Sequence, residues 1–374
     1  MRITNKELWL EMYKAAERVR DLAAWNWMTE DDVFMVQDPD NEENIAFCSL
    51  MGANGEFHGL AIYRGWDGFR SYNDLKFSGD FESEIVSLNY GLMQDCWMVE
   101  FTEQEKLNIA GEATLKELGL KYKGKLNWLD ITDRGAGFAP WYLEEEDVPF
   151  VTTCLNQFFE IAMRAEENDS FLHRSNPDYK EIDSEEDFDD DDVDEWLAHS
   201  DELLLKRVGV RQADGKIDWS DEFIDTASFE EECLLEQYIT PSIRAAALAK
   251  KLKQKEAAIM IGMMMIPQPV QEEDDDIPFF SCLTLFIQYG SNYIIGQQID
   301  DLISTKEKFE KSLLDIFEEI GFIPSQLLVN MPLFEDWLEK IADLLDIEVI
   351  LNPEEEGFED VFTSMLEMMD GLSE

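Results

Sequence analysis

Histidine is almost missing from this chain of 374 residues: there are three, His58, His173 and His199. No His-x-x-x-His and no Cys/His pair occurs, so a zinc centre has almost no ligands to draw on. His58 falls in a predicted strand and the other two in polar segments, where each reads as an ordinary strand or surface residue rather than a general base. Cysteine is scarce as well. The five (Cys48, Cys96, Cys154, Cys233 and Cys282) are odd in number, widely spaced and without a Cys-x-x-Cys pair. Most sit in apolar segments such as FCSLM and SCLTLF, which predicts buried reduced thiols and no disulfide. None has the cationic neighbour that activates a thiolate.

Positive charge is the third shortage. Against 83 Asp and Glu there are 30 Lys and Arg, giving a formal net charge of −53 at pH 7 and a pI near 4.1. Binding to a phosphate backbone draws its affinity from Lys and Arg, so direct nucleic-acid contact is not expected. Anionic membrane surfaces are disfavoured for the same reason. The longest apolar run, Ala257–Ile266 (AAIMIGMMMI), is roughly half of what a spanning helix needs. The opening MRITNKELWLEMYKAAERVR lacks the apolar core and small-residue cleavage site of a secretory signal. These absences together predict a cytoplasmic protein.

What is present suits a folded chain: 45% apolar and 12% aromatic residues. The length suggests two or three domains. Thr4 and Glu7 form a capping box ahead of Leu8, Met12, Ala15, Val19 and Leu22 at helical spacing. Then VFMVQ, IAFCSLM and FHGLAIY, separated by DPDNEEN and GANGE, read as an antiparallel meander of three strands. Trp66–Leu75 reads as a helix and Asp95–Thr102 as a strand. A helix capped by Thr102 and Glu105 is expected to end at Gly119, and Pro149 opens another that buries Phe150, Leu155, Phe158, Phe159 and Ala162.

The texture changes after residue 170. Residues 181–195 hold 11 acids in 15 positions, a density that predicts a solvated spacer. Short helices are expected at Glu202–Val210 and Phe229–Tyr238, and another helix at Arg244–Lys255. Beyond a second acidic patch, Glu272–Asp276, come two strands, FFSCLTLFIQYG and SNYIIGQQI, joined by a Gly-Ser-Asn turn. Ser304 and Glu307 cap a helix ending at Gly321. The strand Leu327–Val329, the helix Pro332–Leu345, the strand Ile347–Leu351 and a closing helix with Phe358, Val361, Met365 and Met368 complete the pattern. Strands alternating with crossover helices imply parallel pairing beside the antiparallel hairpin. The expected architecture is α+β. An N-terminal domain over 1–170 holds the meander and its helices, an acidic linker with short helices covers 171–255, and a mixed-sheet α/β domain covers 256–374.

No pattern of catalytic residues survives weighing. Asp214-Gly215-Lys216-Ile217-Asp218 resembles half of a calcium loop. With Gly215 at position 6, however, position 1 is Val210 and position 12 is Asp221, not Glu, so a plain Asp-Gly turn is the better reading. The run Asp189–Asp192 lacks the preformed cage that a dedicated cation site needs. Gly52, Gly55 and Gly59 lie between two strands, with no Lys in the P-loop place, and suit hairpin turns. Gly135 and Gly137 form another short loop, where Arg134 offers an anion contact. Met263–Met265, Met365, Met368 and Met369 at an adaptable contact surface compete with a core assignment, which their spacing favours.

Two stretches resemble domains of a bacterial family of unknown function. The first is carried by W-M-x-E-D-D-V-F-x-V-Q-D-P (Trp27 to Pro39) and by I-A-F-C-S-L-M-G-x-x-G-E-F-x-G-L-A-I-Y-R-G (Ile45 to Gly65). The second, from Phe279 to Met369, is carried by Ile294-Ile295-Gly296, by G-F-I-P (Gly321 to Pro324) and by Leu327–Asn330. The order of elements in the second is also similar to a ribonuclease H-like or integrase core. That likeness would place carboxylates on the central strands. The strand SCLTLFIQY has none, and Asn330 stands where an integrase carries Asp. Glu359 and Asp360 on the last helix are the acids left to replace them.

The resulting expectation has no catalytic, cofactor-binding or metal-binding residues and no cofactor. It is a protein-interaction module with a protein partner. Two alternatives remain. One is an acidic mimic of nucleic acid that occupies a DNA- or RNA-binding partner, for which opposite charge would speed encounter. The other is a degenerate metal-dependent nuclease. Residues 165–236 carry 26 acids against 6 bases and the other 302 residues 57 against 24, so the acidity is spread along the chain rather than gathered on one segment.

Overall fold

A computed structural model describes residues 3–55, 57–79, 83–168, 171–177, 202–227, 238–273 and 276–371. The acidic run 181–195, the expected helix Phe229–Tyr238 apart from its last residue, His199 and Cys233 lie outside them. The fold is α+β, with two mixed sheets. The chain divides into two compact units. One is built from Met1–Tyr72, Asp95–Gly135 and Pro140–Cys233, the other from Asn73–Gln94, Ala136–Ala139 and Leu234–Glu374.

The first unit begins with α1 (Lys6–Leu22), followed by β1 (Phe34–Asp38), β2 (Asn41–Met51), β3 (Gly59–Arg64) and α2 (Gly65–Ser78), whose last turns belong to the second unit. After α3 (Glu84–Leu92), which also belongs to the second unit, come β4 (Cys96–Thr102), α4 (Ile109–Leu118), β5 (Trp128–Arg134) and α5 (Val148–Glu167). Strands β6 (Arg174–Ser175), β7 (Glu202–Arg211) and β8 (Ile217–Ile224) complete its sheet. The order is β5-β4-β3-β2-β1-β7-β6, with β8 alongside β7. The expected meander is present and extends to β5. Pairing of β1 with β7 is parallel, which makes the sheet mixed. One face of the sheet lies under α1 and α5, where Trp9, Tyr13, Phe34, Phe101 and Phe158 are buried together.

Several expectations are corrected. Glu202–Val210 is a strand, not a helix: Val208 and Val210 pair with Ser220 and Asp218 across the Asp214-Gly215 turn. A turn dipeptide flanked by β-branched residues is a hairpin signal. Strand β5 was not anticipated. The helix caps are Asn5, Asn108 and Asp301, whose side chains accept from the backbone N–H of Leu8, Ala110 and Ser304. Thr4, Thr102 and Ser304 do not fill those positions, and Thr4 instead hydrogen-bonds Glu145.

The second unit contains α3, α6 (Ile243–Lys251), β9 (Gln254–Met265), β10 (Cys282–Gln288), β11 (Tyr293–Asp300), α7 (Leu302–Ile320), β12 (Ile323–Val329), α8 (Pro332–Leu345), β13 (Glu348–Leu351) and α9 (Glu356–Gly371). Its sheet runs β11-β10-β9-β12-β13. β9, β10 and β11 pair antiparallel, and β12 pairs parallel with both β9 and β13. The central strand β9 contains most of the longest apolar run, Ala257–Ile266, and the helix expected up to Lys255 stops at Lys251. A strand buried on both faces needs no polar alternation, so its sequence shows none. Gly262 lies at its middle, where an added Cβ would come within 2.7 Å of Phe358 and 2.8 Å of Phe362. That close approach seats α9 on the sheet.

Candidate functional site

β9 is longer than either neighbour and overhangs them at opposite ends. Its parallel pairing with β12 stops at Ile261 opposite Val329, while β9 continues to Met265. Backbone groups on that side would be buried without partners, at a cost of about 1–3 kcal/mol each. Two amide side chains replace the missing strand. Asn330 accepts from Met263 N–H at 3.0 Å and donates to Met263 C=O at 3.0 Å. Asn89, on α3, accepts from Met265 N–H at 2.7 Å and donates to the same Met263 C=O at 2.8 Å. Both asparagines are fully buried. An α/β sheet normally opens its ligand crevice outside the carboxyl ends of the strands, where the strand order reverses. Here β9 and β12 form that reversal, and the two amides close it. Carboxylates there would repel the Met263 carbonyl, whereas an amide supplies donor and acceptor together.

The opposite overhang is open. Pairing of β9 with β10 ends at Gln288 opposite Ile259, while β9 begins at Gln254. A groove of about 610 Å³ lies there, lined by Ile259, Ile295, Ile320, Phe322, Ser325 and Tyr289, among others. The register with β12 jumps from Lys255↔Pro324 to Ala258↔Gln326, so Glu256 and Ala257 stand together opposite Ser325 as a bulge. Bulges re-aim side chains, and both residues line the groove.

Unit one holds a group of buried carboxyls with raised titration. Asp130, 2% exposed, is pushed up to about 6 by burial, with Glu100 adding to the effect. Its Oδ2 accepts from Asn108 N–H at 2.7 Å, and its Oδ1 has no partner among the described residues. Arg134, read from the sequence as an anion contact, pairs with Glu100. Arg64 donates to Asp95 at 2.7 Å and to Asp133 at 2.7 Å. Burial raises both of these carboxyls despite that arginine. His173 bridges Asp32 at 3.0 Å (Nε2) and Glu202 at 3.2 Å (Nδ1). Its two ring nitrogens face different carboxylates, so one ion could not be held by all three.

The remaining sequence candidates separate. Asp214-Gly215 is the β7–β8 hairpin turn, and Asp221 is held by Arg164 and Arg207, with its carboxyl lowered by them. Gly52 and Gly55 lie in the β2–β3 connection, and His58 stacks edge-on against Trp25. Met263–Met265 are fully buried, and Met365 packs against the core beneath α9, while the side chains of Met368 and Met369 lie outside the described ones. Cys48, Cys96, Cys154 and Cys282 are free and buried, and burial pushes Cys96 and Cys282 up to about 12. Glu359 and Asp360 are exposed on α9. Among the described residues no cluster of three or more His, Cys, Asp or Glu could hold a metal ion, and no helix is long and apolar enough to cross a membrane. The overhangs of β9 could not be foreseen while β9 itself went unrecognised, and Asn89 sits in a helix far away in sequence.

Two family models match the chain. Residues 9–180 match a domain of unknown function, DUF7309, and residues 244–366 match a second, DUF6930. The protein thus carries an N-terminal and a C-terminal domain of these two kinds. No curated protein matches it.

Proposed function

We propose that this protein is a non-catalytic protein-interaction module. The observation that carries this reading is the closure of the β9 and β12 ends by Asn89 and Asn330, whose amide atoms are engaged with the backbone of Met263 and Met265. The strand order β11-β10-β9-β12-β13, antiparallel on one side of β9 and parallel on the other, supports a ribonuclease H-like layout for the second unit. A layout does not transmit a function. Nucleases of that layout need carboxylates on the central strands to hold two metal ions. In this reading the layout serves as a rigid frame and the catalytic end as a structural joint.

The test uses the full-length chain. A tagged pull-down from host lysate at low and high salt, with mass spectrometry, is expected to recover a defined protein partner. An assay of DNA and RNA cleavage with magnesium or manganese is expected to give no turnover above buffer. Cleavage abolished by Asp360→Asn would overturn the reading.

A further inference from the structure

We propose that the carboxyl of Asp130 is a pH-operated latch on α4: protonated, it holds the first turn of the helix against β5, and ionised, it releases that turn to solvent.

The latch is a helix cap supplied by another element. In a capping box the side chain of the third helical residue accepts the N–H of the cap residue. In α4 the cap is Asn108, whose own side chain accepts from Ala110 N–H at 3.0 Å, and the third helical residue is Gly111. With no side chain at that place the box is incomplete, and Asp130 on β5 completes it. Its Oδ2 accepts from Asn108 N–H at 2.7 Å, and its Oδ1 stands almost where a Cβ on Gly111 would be. The carboxyl thus fills the space of the missing side chain and joins the start of α4 to the edge strand of the sheet.

This fit has a defect that only ionisation exposes. Asp130 is buried, and its Oδ1 has no hydrogen-bond partner among the described residues. Thr132, next on the same face of β5, has an unpaired hydroxyl of its own and gives Oδ1 no proton. From β4, Glu100 repels an ionised Asp130, while Arg134 on β5 attracts it but is paired with Glu100. From α1, Tyr13 lies within electrostatic reach, with its hydroxyl buried and unpaired. The charged side chains of α4 itself, Glu112, Lys116 and Glu117, are exposed. A neutral carboxyl loses little in this place, whereas a carboxylate loses the hydration of one oxygen and gains nothing in return. Burial therefore outweighs the Asn108 hydrogen bond and pushes the carboxyl up to about 6.

The first turn of α4 is the part that can yield. The helix has 10 residues, too few to be stable by itself. Leu115 and Leu118 fix its far half in the core, while Ile109 at its start is 81% exposed. Opening the first turn hydrates Asp130 without displacing those leucines. By linkage, a carboxyl raised in the closed state favours closure when protonated, and closure weakens as pH rises through 6.

The experiment is native-state hydrogen exchange of the full-length chain at pH 4.5, 6 and 7.5, corrected for intrinsic rates, with urea series below the unfolding transition. The amides to follow begin with Glu112, whose N–H bonds Asn108 C=O. They are expected to open with little urea dependence, as local fluctuations do. Their opening constant is expected to rise about tenfold or more from pH 4.5 to 7.5. Amides of α5 are expected to exchange more slowly and with a steep urea dependence. Asp130→Asn keeps an acceptor for Asn108 and removes the titration, so its α4 opening is expected to be equal at all three pH values. One shared urea slope for α4 and α5 would overturn the proposal, because the opening would be global. A pH-independent α4 in the unaltered protein would overturn it, and so would an unchanged pH dependence in Asp130→Asn. The first two outcomes need no variant, so the test stays decisive even if Asp130→Asn fails to fold.

Discussion

The side chain of Asn330 hydrogen-bonds both the N–H and the C=O of Met263, at 3.0 Å each, and so extends the edge of β12 by one residue without backbone. Asn330→Asp removes the donor and places a carboxylate against a buried carbonyl. The expected loss is about 3 kcal/mol or more, since a buried unpaired charge adds to the unmade hydrogen bond. Urea unfolding at pH 7 checks it, and Asn89→Asp is expected to act in the same direction.

Gly262 allows Phe358 and Phe362 to lie directly on β9. Gly262→Val pushes both rings away and is expected to cost about 1–3 kcal/mol by overpacking. The signature to look for is faster amide hydrogen exchange in α9, with little change in α1 and α5 of the other unit. Uniform exchange throughout the chain would contradict this.

Asp130 is ionised at neutral pH at a cost, because burial and Glu100 raise its carboxyl to about 6. The sign follows from linkage. A folded-state value above the unfolded one contributes stability that is complete below about pH 4 and is lost as pH rises through 6. Asp130→Asn is therefore expected to stabilise the protein at pH 7 by about 1–3 kcal/mol, and to remove the corresponding slope between pH 4 and 6. Thermal denaturation across that window tests it. A wild-type slope retained in the variant would refute the assignment.

Gly111 meets the same carboxyl from the other side, with an added Cβ only 1.8 Å from Asp130 Oδ1. Gly111→Ala is expected to destabilise by about 1–3 kcal/mol although alanine favours helices. The double variant with Asp130→Ala is expected to recover much of that loss, because the obstructing carboxyl is gone.

His173 sits between Asp32 and Glu202. Burial works against its charge, but the two carboxylates outweigh that and raise its titration. Its contribution is present when the ring is protonated and is lost as pH rises through the raised value. His173→Gln is expected to destabilise more at pH 5.5 than at pH 8, measured by paired urea titrations.

Local order was readable where local chemistry decides it. Pro332 opens α8 at its first turn, Gly119 and Gly321 end their helices in the left-handed region, and Asp214-Gly215 turns the chain. The short β-branched and aromatic runs of β1 to β3, set between turn residues, and the rhythm of strands and helices after residue 280 gave the α+β class. Readings failed where two local signals compete. Leu203–Leu205 with Lys206 and Arg207 suits helix or strand, and pairing with β1 and β8 settles it as strand. The run Ala257–Met265 lacks alternation because both faces are covered.

Composition by itself determined the acidity, the scarcity of metal and thiol ligands, and the absence of a long apolar helix from the chain's described part. Those properties are sums over residues and need no geometry. Only tertiary structure decided that α3, encoded amid the first unit, belongs to the second, where Asn89 reaches Met263 and Met265 across more than 170 positions. Only tertiary structure decided, too, that one overhang of β9 is sealed and the other open. Both depend on how far each neighbouring strand extends along β9, and strand lengths relative to a partner are set by long-range pairing that no local window contains.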